Sequence, residues 1–267
     1  MKKILWFSDT HFSVFHPWTF YTFLREVEKE KPNGIFLTGD IADGAPQLYW
    51  VLERMAKSIP SPIYFVLGNH CCWLSSMARV HQKVRELCQK HSNLIWMQDA
   101  DVIHLSDEIS ILGADSWYSC DLGNTDYLKW TADWFLIEDF RKLPSWNDRI
   151  EAFRNLAEQA KDIVVSKLQR ALEQDYKTVY ILTHIPPWKE ATRDEGSFLE
   201  KYWLPYNINL RMGKAIEDIM RERKKKRVVV LTGHTHSPLY VRVSRNVECQ
   251  VGEGHYVKAS HSQKLFM

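Results

Sequence analysis

The sequence has no apolar run long enough to cross a bilayer and no apolar leader behind its first residues. Met1-Lys2-Lys3 is followed by four apolar residues, Ile4-Leu5-Trp6-Phe7, and then by Ser8 and Asp9. A signal peptide needs an apolar stretch of about 7–15 residues and a membrane helix about 20. We therefore expect no membrane insertion and a cytoplasmic location. Cysteine is sparse and unpatterned. Cys71, Cys72, Cys88, Cys120 and Cys249 are odd in number and irregular in spacing, which excludes a disulfide framework or a zinc ribbon. Charge of either sign is nearly absent as an excess. Lys+Arg total 35 and Asp+Glu 33, a net of +2, so no global field exists to hold a long nucleic acid or an anionic bilayer. Glycine and proline, 11 and 10 in 267 residues, form no linker, and there is no internal repeat or low-complexity tract. The chain reads as one domain over residues 1–267.

What is present is an ordinary globular composition, 45% apolar and 25% charged, with enough length to bury a sizeable core. Short apolar runs at Ile4–Phe7, Ile35–Leu37, Ile63–Leu67, Ile109–Leu112, Val179–Leu182 and Val228–Leu231 read as buried strands. Helical patterns lie between them, near Thr19–Glu30, Pro46–Lys57, Ser76–His91, Asp148–Asp175 and Asn209–Lys226. This alternation predicts an α/β protein with helices on the sheet faces. Leu239–Val243 and Val247–Val251, separated by Ser244-Arg245-Asn246, predict a β-hairpin.

Two long irregular stretches are rich in aromatics. Residues 115–147 hold Trp117, Tyr118, Tyr127, Trp130, Trp134, Phe135 and Trp146; residues 186–206 hold Trp188, Phe198, Tyr202 and Trp203. Connections this long are either added packed elements or caps over a site.

The residues that follow the strands carry the chemistry. The first run leads to Asp9-Thr10-His11, the second to Gly39-Asp40-Ile41-Ala42-Asp43 and the third to Gly68-Asn69-His70. Val179–Leu182 leads to Thr183-His184, and Val228–Leu231 to Gly233-His234-Thr235-His236. In open α/β sheets ligands bind outside the carboxyl ends of the strands. Neighbouring strands would bring these polar ends together. Imidazole with carboxylate suits divalent ions of the Zn, Mn, Fe, Ni or Co type, and the donors outnumber what one ion needs. The glycines permit close backbone approach. Asp9 and His11 stand at i and i+2, as do His234 and His236, so in extended backbone each pair points the same way.

In that order the five blocks resemble the calcineurin-like metallophosphoesterases, and they span residues 9–236. The resemblance implies a four-layer αββα sandwich of two mixed β-sheets flanked by helices. It also implies two divalent ions, with Mn2+ the first choice. Asp9, His11 and His236 would hold one, Asn69, His184 and His234 the other, and Asp40 both. A hydroxide held between the ions would attack a phosphomonoester or phosphodiester. His70 would be the unligated catalytic residue facing the phosphate, and Asp43 would support the ligands from behind. The near-neutral charge fits a small phosphate ester as partner and argues against nucleic acid.

One departure stands out. The family commonly follows Gly-Asn-His with Asp or Glu, and here Cys71 and Cys72 follow. A carboxylate able to orient His70 or its loop is missing from that position. Cys71 reads more simply as a small buried residue than as a soft ligand. Asp115 reads as loop support. Arg221–Arg227 reads as cations at a helix C-terminus. His16, His81, His91, His104, His255 and His261 match no block. The alternatives to an esterase are a non-catalytic metal-binding scaffold on the same fold and a nuclease using the basic run and the aromatics.

Overall fold

The computed structural model describes residues 2–192, 204–254, 256 and 263–267. Eleven strands are β1 (Lys3–Phe7), β2 (Gly34–Thr38), β3 (Ile63–Val66), β4 (Leu94–Trp96), β5 (Ile103–His104), β6 (Ile109–Gly113), β7 (Thr178–Leu182), β8 (Arg227–Thr232), β9 (Leu239–Arg242), β10 (Val247–Val251) and β11 (Gln263–Phe266). They form a five-stranded sheet in the order β11-β1-β2-β3-β4 and a six-stranded sheet in the order β5-β6-β7-β8-β10-β9. The inner strands of both sheets are parallel; β11, β5 and β9 are antiparallel edges.

The alternation along each strand explains the layering. Ile4 and Trp6 of β1, Phe36 of β2 and Tyr64 and Val66 of β3 meet Ile111, Leu182, Val229 and Leu231 of the other sheet in one buried cluster. Leu5, Phe7, Ile35, Leu37, Ile63 and Phe65 point the other way. They pack beneath α1 (Pro17–Glu30), α2 (Ala45–Ser58) and α3 (Met77–Lys90). Val179, Ile181, Val228 and Val230 do the same under α6 (Trp146–Leu172) and α7 (Leu210–Arg221). Both faces of each parallel sheet are therefore covered, which is why the strands read as unbroken apolar runs. The result is the expected four-layer sandwich.

The first aromatic stretch is built of short elements, a 3-10 turn at Thr125–Trp130 and the single turns α4 (Asp133–Leu136) and α5 (Glu138–Arg141). Trp117, Tyr118, Trp134 and Phe140 are buried with Phe153 of α6, their rings in edge and tilted contacts. Trp134 is fully enclosed; truncating such a ring costs about 3–5 kcal/mol. These four rings are thus core, whereas Trp130 and Phe135 of the same stretch are exposed. Trp188 is also buried, and its indole donates to Glu217 Oε1 at 2.7 Å. Phe198, Tyr202, Trp203, His255 and His261 lie outside the described residues.

Strands β4, β5 and β11 were not expected. They are three, two and four residues long, and β11 buries only Leu265, too little for an apolar run to register. Helix α7 ends at Arg221 rather than near Lys226, so most of the basic run is the turn into β8. No helix among the described residues is long and apolar enough to cross a membrane.

Candidate metal centre

Five strands deliver the site. Strands β1, β2 and β3 of one sheet end just before Asp9, Asp40 and Asn69, and β7 and β8 of the other just before His184 and His234. The backbone there does not stay extended. Asp9, His11, Asp40, His234 and His236 adopt left-handed φ of 47°, 40°, 40°, 71° and 57°. Non-glycine residues in this region are uncommon and cost of order 1–3 kcal/mol each, and they cluster at functional sites. The extended i, i+2 geometry expected for Asp9/His11 and His234/His236 is therefore not what occurs. Asp9 and His11 still converge, but His234 and His236 join different groups of donors.

Those groups are Asp9 with His11 and His236, His11 with Asp40 and His70, and Asp40 with His184 and His234. Asp40, 1% exposed, belongs to two of them. Its Oδ2 lies 3.3 Å from His184 Nε2 and 3.8 Å from the Nε2 atoms of both His11 and His70. His11 Nε2 and His236 Nε2 stand 3.0 Å apart, and Asp9 Oδ1 is 3.5 Å from the latter. Asn69 Oδ1 lies 3.3 Å from His184 Nε2. The glycines admit these approaches. A Cβ at Gly68 would fall 2.1 Å from Asp40 Oδ1, and one at Gly233 would fall 2.2 Å from Asp9 Oδ2.

The ring nitrogens turned away from the cluster are committed to neighbours. His11 Nδ1 donates to Asp43 Oδ1 at 2.8 Å, His184 Nδ1 to the Thr38 carbonyl at 2.9 Å and His234 Nε2 to the Tyr206 carbonyl at 3.1 Å. In each neutral ring the other nitrogen then carries a lone pair, Nε2 of His11 and His184 and Nδ1 of His234. Such outer bonds fix the tautomer and raise the basicity of metal-binding histidines. The donor set of imidazole, carboxylate and amide oxygen, held at these spacings, fits divalent ions.

Electrostatics follow from burial and crowding. Burial disfavours the charged form of Asp40, but His184 and His70 outweigh it and hold the carboxyl well below its ordinary range. Burial also opposes charge on His184; Asp40 overcomes it and raises the imidazole to about 9. Burial, with His184 beside it, drives His234 well below the usual value. His70 is raised because Asp40 and Asp43 outweigh its burial. His70 Nδ1 lies 2.9 Å from the same Asp43 Oδ1 that holds His11, so one oxygen orients two rings.

Sequence reasoning missed Asp133. It is fully buried and 64 residues from Asn69. Its carboxylate accepts from Asn69 Nδ2 at 3.1 and 3.2 Å, from Trp73 Nε1 at 2.7 Å and from the Tyr118 hydroxyl at 3.0 Å. Trp73 in turn stacks on His70, with centroids 3.5 Å apart. The carboxylate missing after His70 thus has a counterpart delivered by the aromatic stretch. No local motif announces it. Cys71 is buried against the α1–α3 side of the sheet, and burial pushes its thiol up to about 12. Asp115 Oδ1 accepts from the Leu67 amide at 2.7 Å, so it braces the loop ahead of Asn69, as expected. All five cysteines are free thiols.

A cleft of about 430 Å³ opens onto the cluster. Asp40, His70, His234 and His236 form its floor, and Trp73, Trp130, Tyr206 and Tyr256 contribute rings to its walls. Among the described aromatics of the two long stretches, Trp130 and Tyr206 reach it. Tyr256, in the tail, lies over His11 and His236 with centroids 4.3 and 5.1 Å away.

Comparison with known proteins agrees with this architecture. The model of the calcineurin-like phosphoesterase family matches residues 2–238. No curated protein sequence matches the chain. The fold is similar to that of phosphopantetheinyl hydrolase from Mycobacterium tuberculosis, at 15% identity over 96% of this chain and 90% of that one, with a TM-score of 0.62. It is similar also to a dimetal phosphatase from Danio rerio, at 14% identity over 95% and 87% of the two chains, with a TM-score of 0.57. At these identities the likeness concerns the fold. The family match, covering every one of the five motif blocks, makes this chain a member of the calcineurin-like phosphoesterases, metal-dependent hydrolases of phosphoric esters.

Proposed function

We propose that the chain hydrolyses a small phosphomonoester or phosphodiester at a centre for two divalent ions. Asp9, His11 and His236 would hold one ion, Asn69, His184 and His234 the other, and Asp40 would touch both. The observation that carries this reading is Asp40. Its buried carboxylate lies within 3.8 Å of His11, His70 and His184 and links the groups of donors on its two sides. Held by these residues, two divalent ions would supply a water that ionises near neutral pH and would neutralise charge on the phosphoryl oxygens. With imidazole, carboxylate and amide donors and no thiolate, we take Mn2+ as the first choice.

The protein's own groups do the rest. Asp43 orients His11 and His70 through one oxygen. His70 Nδ1 is bound behind, so its Nε2 faces the cleft and holds a proton for the departing oxygen as the ester P–O bond breaks. Trp73, stacked on the ring, keeps water off that side. We read the chain as one unit, with Trp130, Thr131 and Ala132 of the segment 115–147 and Tyr206 of the segment 186–206 contributing to the walls of the cleft.

Two observations favour a small substrate over nucleic acid. The basic run Arg221–Arg227 ends on the first residue of β8, whereas the site follows the last. After Arg227 the strand continues through Val228–Thr232 before the site, roughly 17 Å. Arg221 and Arg227 are moreover paired with Asp218 and Glu248. Five free cysteines fit a reducing compartment, and we take that to be the cytoplasm.

Purified protein dialysed against chelator should lose turnover of p-nitrophenyl phosphate and bis(p-nitrophenyl) phosphate and regain it with Mn2+. Asp40→Ala and Asn69→Ala should each abolish it. Full turnover in either variant, or in metal-free protein, overturns the reading.

A further inference from the structure

Trp130 is the feature of the cleft that packing does not explain. Trp117, Trp134 and Trp188 are buried, whereas Trp130 is 82% exposed. It stands at the wall of the cleft that opens on Asp40, His70, His234 and His236. Tyr256, half-exposed, and Trp73 present further rings to the same space. Among the described residues that line the cleft none is Lys or Arg. Among the described residues, the charge of a phosphoryl group on the floor would thus be met only there, and a second phosphate on the leaving group would meet aromatic walls and no cation.

We propose, on the basis of the phosphoesterase reading above, that this cleft selects singly phosphorylated esters whose other group carries a planar aromatic or heteroaromatic ring, held against Trp130. The ring faces supply attraction without demanding a hydrogen-bond pattern, since every planar π-system offers a face. The volume of about 430 Å³ takes one such ring beside a phosphoryl group and lies at the lower end of small-ligand pockets. Both aryl phosphates and mononucleotides have this chemistry. Nucleoside di- and triphosphates do not, because of their added charge.

Leaving-group reactivity would confuse a comparison of esters, so the test uses phosphonates, which have no bond to break. Phenylphosphonate and methylphosphonate are compared as competitive inhibitors of bis(p-nitrophenyl) phosphate hydrolysis by the Mn2+-loaded enzyme, and their binding is checked by calorimetry. Phenylphosphonate should bind about tenfold tighter, the discrimination expected of one stacked ring. In Trp130→Ala the ratio of the two inhibition constants should fall toward one, and in Trp130→Phe it should persist. Trp130 is on the surface, so neither change touches the core. A nucleoside monophosphate that inhibits at least as well as phenylphosphonate, with its diphosphate weaker, assigns the ring to a nucleobase. The reverse order assigns it to a simple aryl group. Equal inhibition by the two phosphonates, an unchanged ratio in Trp130→Ala, or tighter binding of the diphosphate overturns the inference and leaves the phosphoesterase reading standing. Absence of turnover on every ester in the loaded wild type overturns that reading instead.

Discussion

Asn69 turns its amide nitrogen toward Asp133, at 3.1 and 3.2 Å from the two carboxylate oxygens, and thereby its oxygen toward His184. A carboxylate can only accept, so the NH2 end of the amide must face it. The Tyr206 hydroxyl takes a further contact from the same nitrogen at 2.8 Å. The oxygen of Asn69 therefore has no choice of direction.

Asp133→Asn removes that compulsion while keeping the shape. Groups that orient a metal ligand through a hydrogen bond typically matter by about 10–100-fold in affinity or activity. We expect Mn2+ affinity, measured by calorimetry and by the metal dependence of turnover, to drop within that range. Turnover at saturating Mn2+ should recover most of its value. Unchanged affinity would mean that Asp133 only holds Trp73 and Tyr118 in place.

Gly68→Ala inserts a Cβ 2.1 Å from Asp40 Oδ1 and 2.5 Å from the Asp40 backbone nitrogen. Backbone cannot swing aside, so Asp40 must move. A misplacement of about 1 Å at a reacting centre costs on the order of 100-fold in rate. The variant should lose at least that in kcat/KM, with metal content by atomic emission reduced as well.

Asp115 gives a pH signature in stability. Burial raises its carboxyl from the ordinary value of 3.8 to about 7. The unfolded chain ionises this group near pH 4 and the folded chain only near pH 7. Its contribution is thus intact below pH 4 and lost progressively as pH rises to 7, by several kcal/mol at most. Asp115→Asn can keep accepting from Leu67 and Trp96 through its carbonyl oxygen. Denaturant unfolding of the two proteins should show the variant gaining on wild type steadily between pH 4 and 7. A constant difference across that window would refute the assignment.

Cys71 and Cys72 should be inert in the folded protein. Both are buried, and burial raises Cys71 to about 12 and Cys72 well above its ordinary value. Thiolate is the reactive form. Iodoacetamide at pH 8 should leave both unmodified by mass spectrometry until denaturant is added. Rapid labelling of Cys71 in native protein would reopen a redox or ligand role for it.

The site was legible because each motif is local. Asp9, Asp40, Asn69, His184 and His234 all follow directly on buried runs, and parallel strands bring such ends together without any long-range clue. Donor direction was less legible. The i, i+2 rule assumes extended backbone, whereas His234 and His236 are at left-handed φ and join different groups of donors. Asp133 was invisible, since a single turn of helix in an irregular stretch carries no periodicity and its partner lies 64 residues away. Strand β11 was invisible for a related reason. Its pairing with β1 is made by backbone, while three of its four side chains are exposed.

The donors come from both sheets. Asp9 and His11 follow β1 of the first and His236 follows β8 of the second, and Asp40 faces His184 and His234 in the same way. Ions held there, as proposed above, would be non-covalent staples between two layers, closing a loop of 225 residues between His11 and His236. Neither sheet can come apart without dismantling the centre. Their stabilisation would then be shared by the whole sandwich and grow with ion concentration as RT ln(1 + [L]/Kd), about 2.7 kcal/mol at a hundred times Kd. A centre proposed for chemistry would then also lock the two halves of the fold.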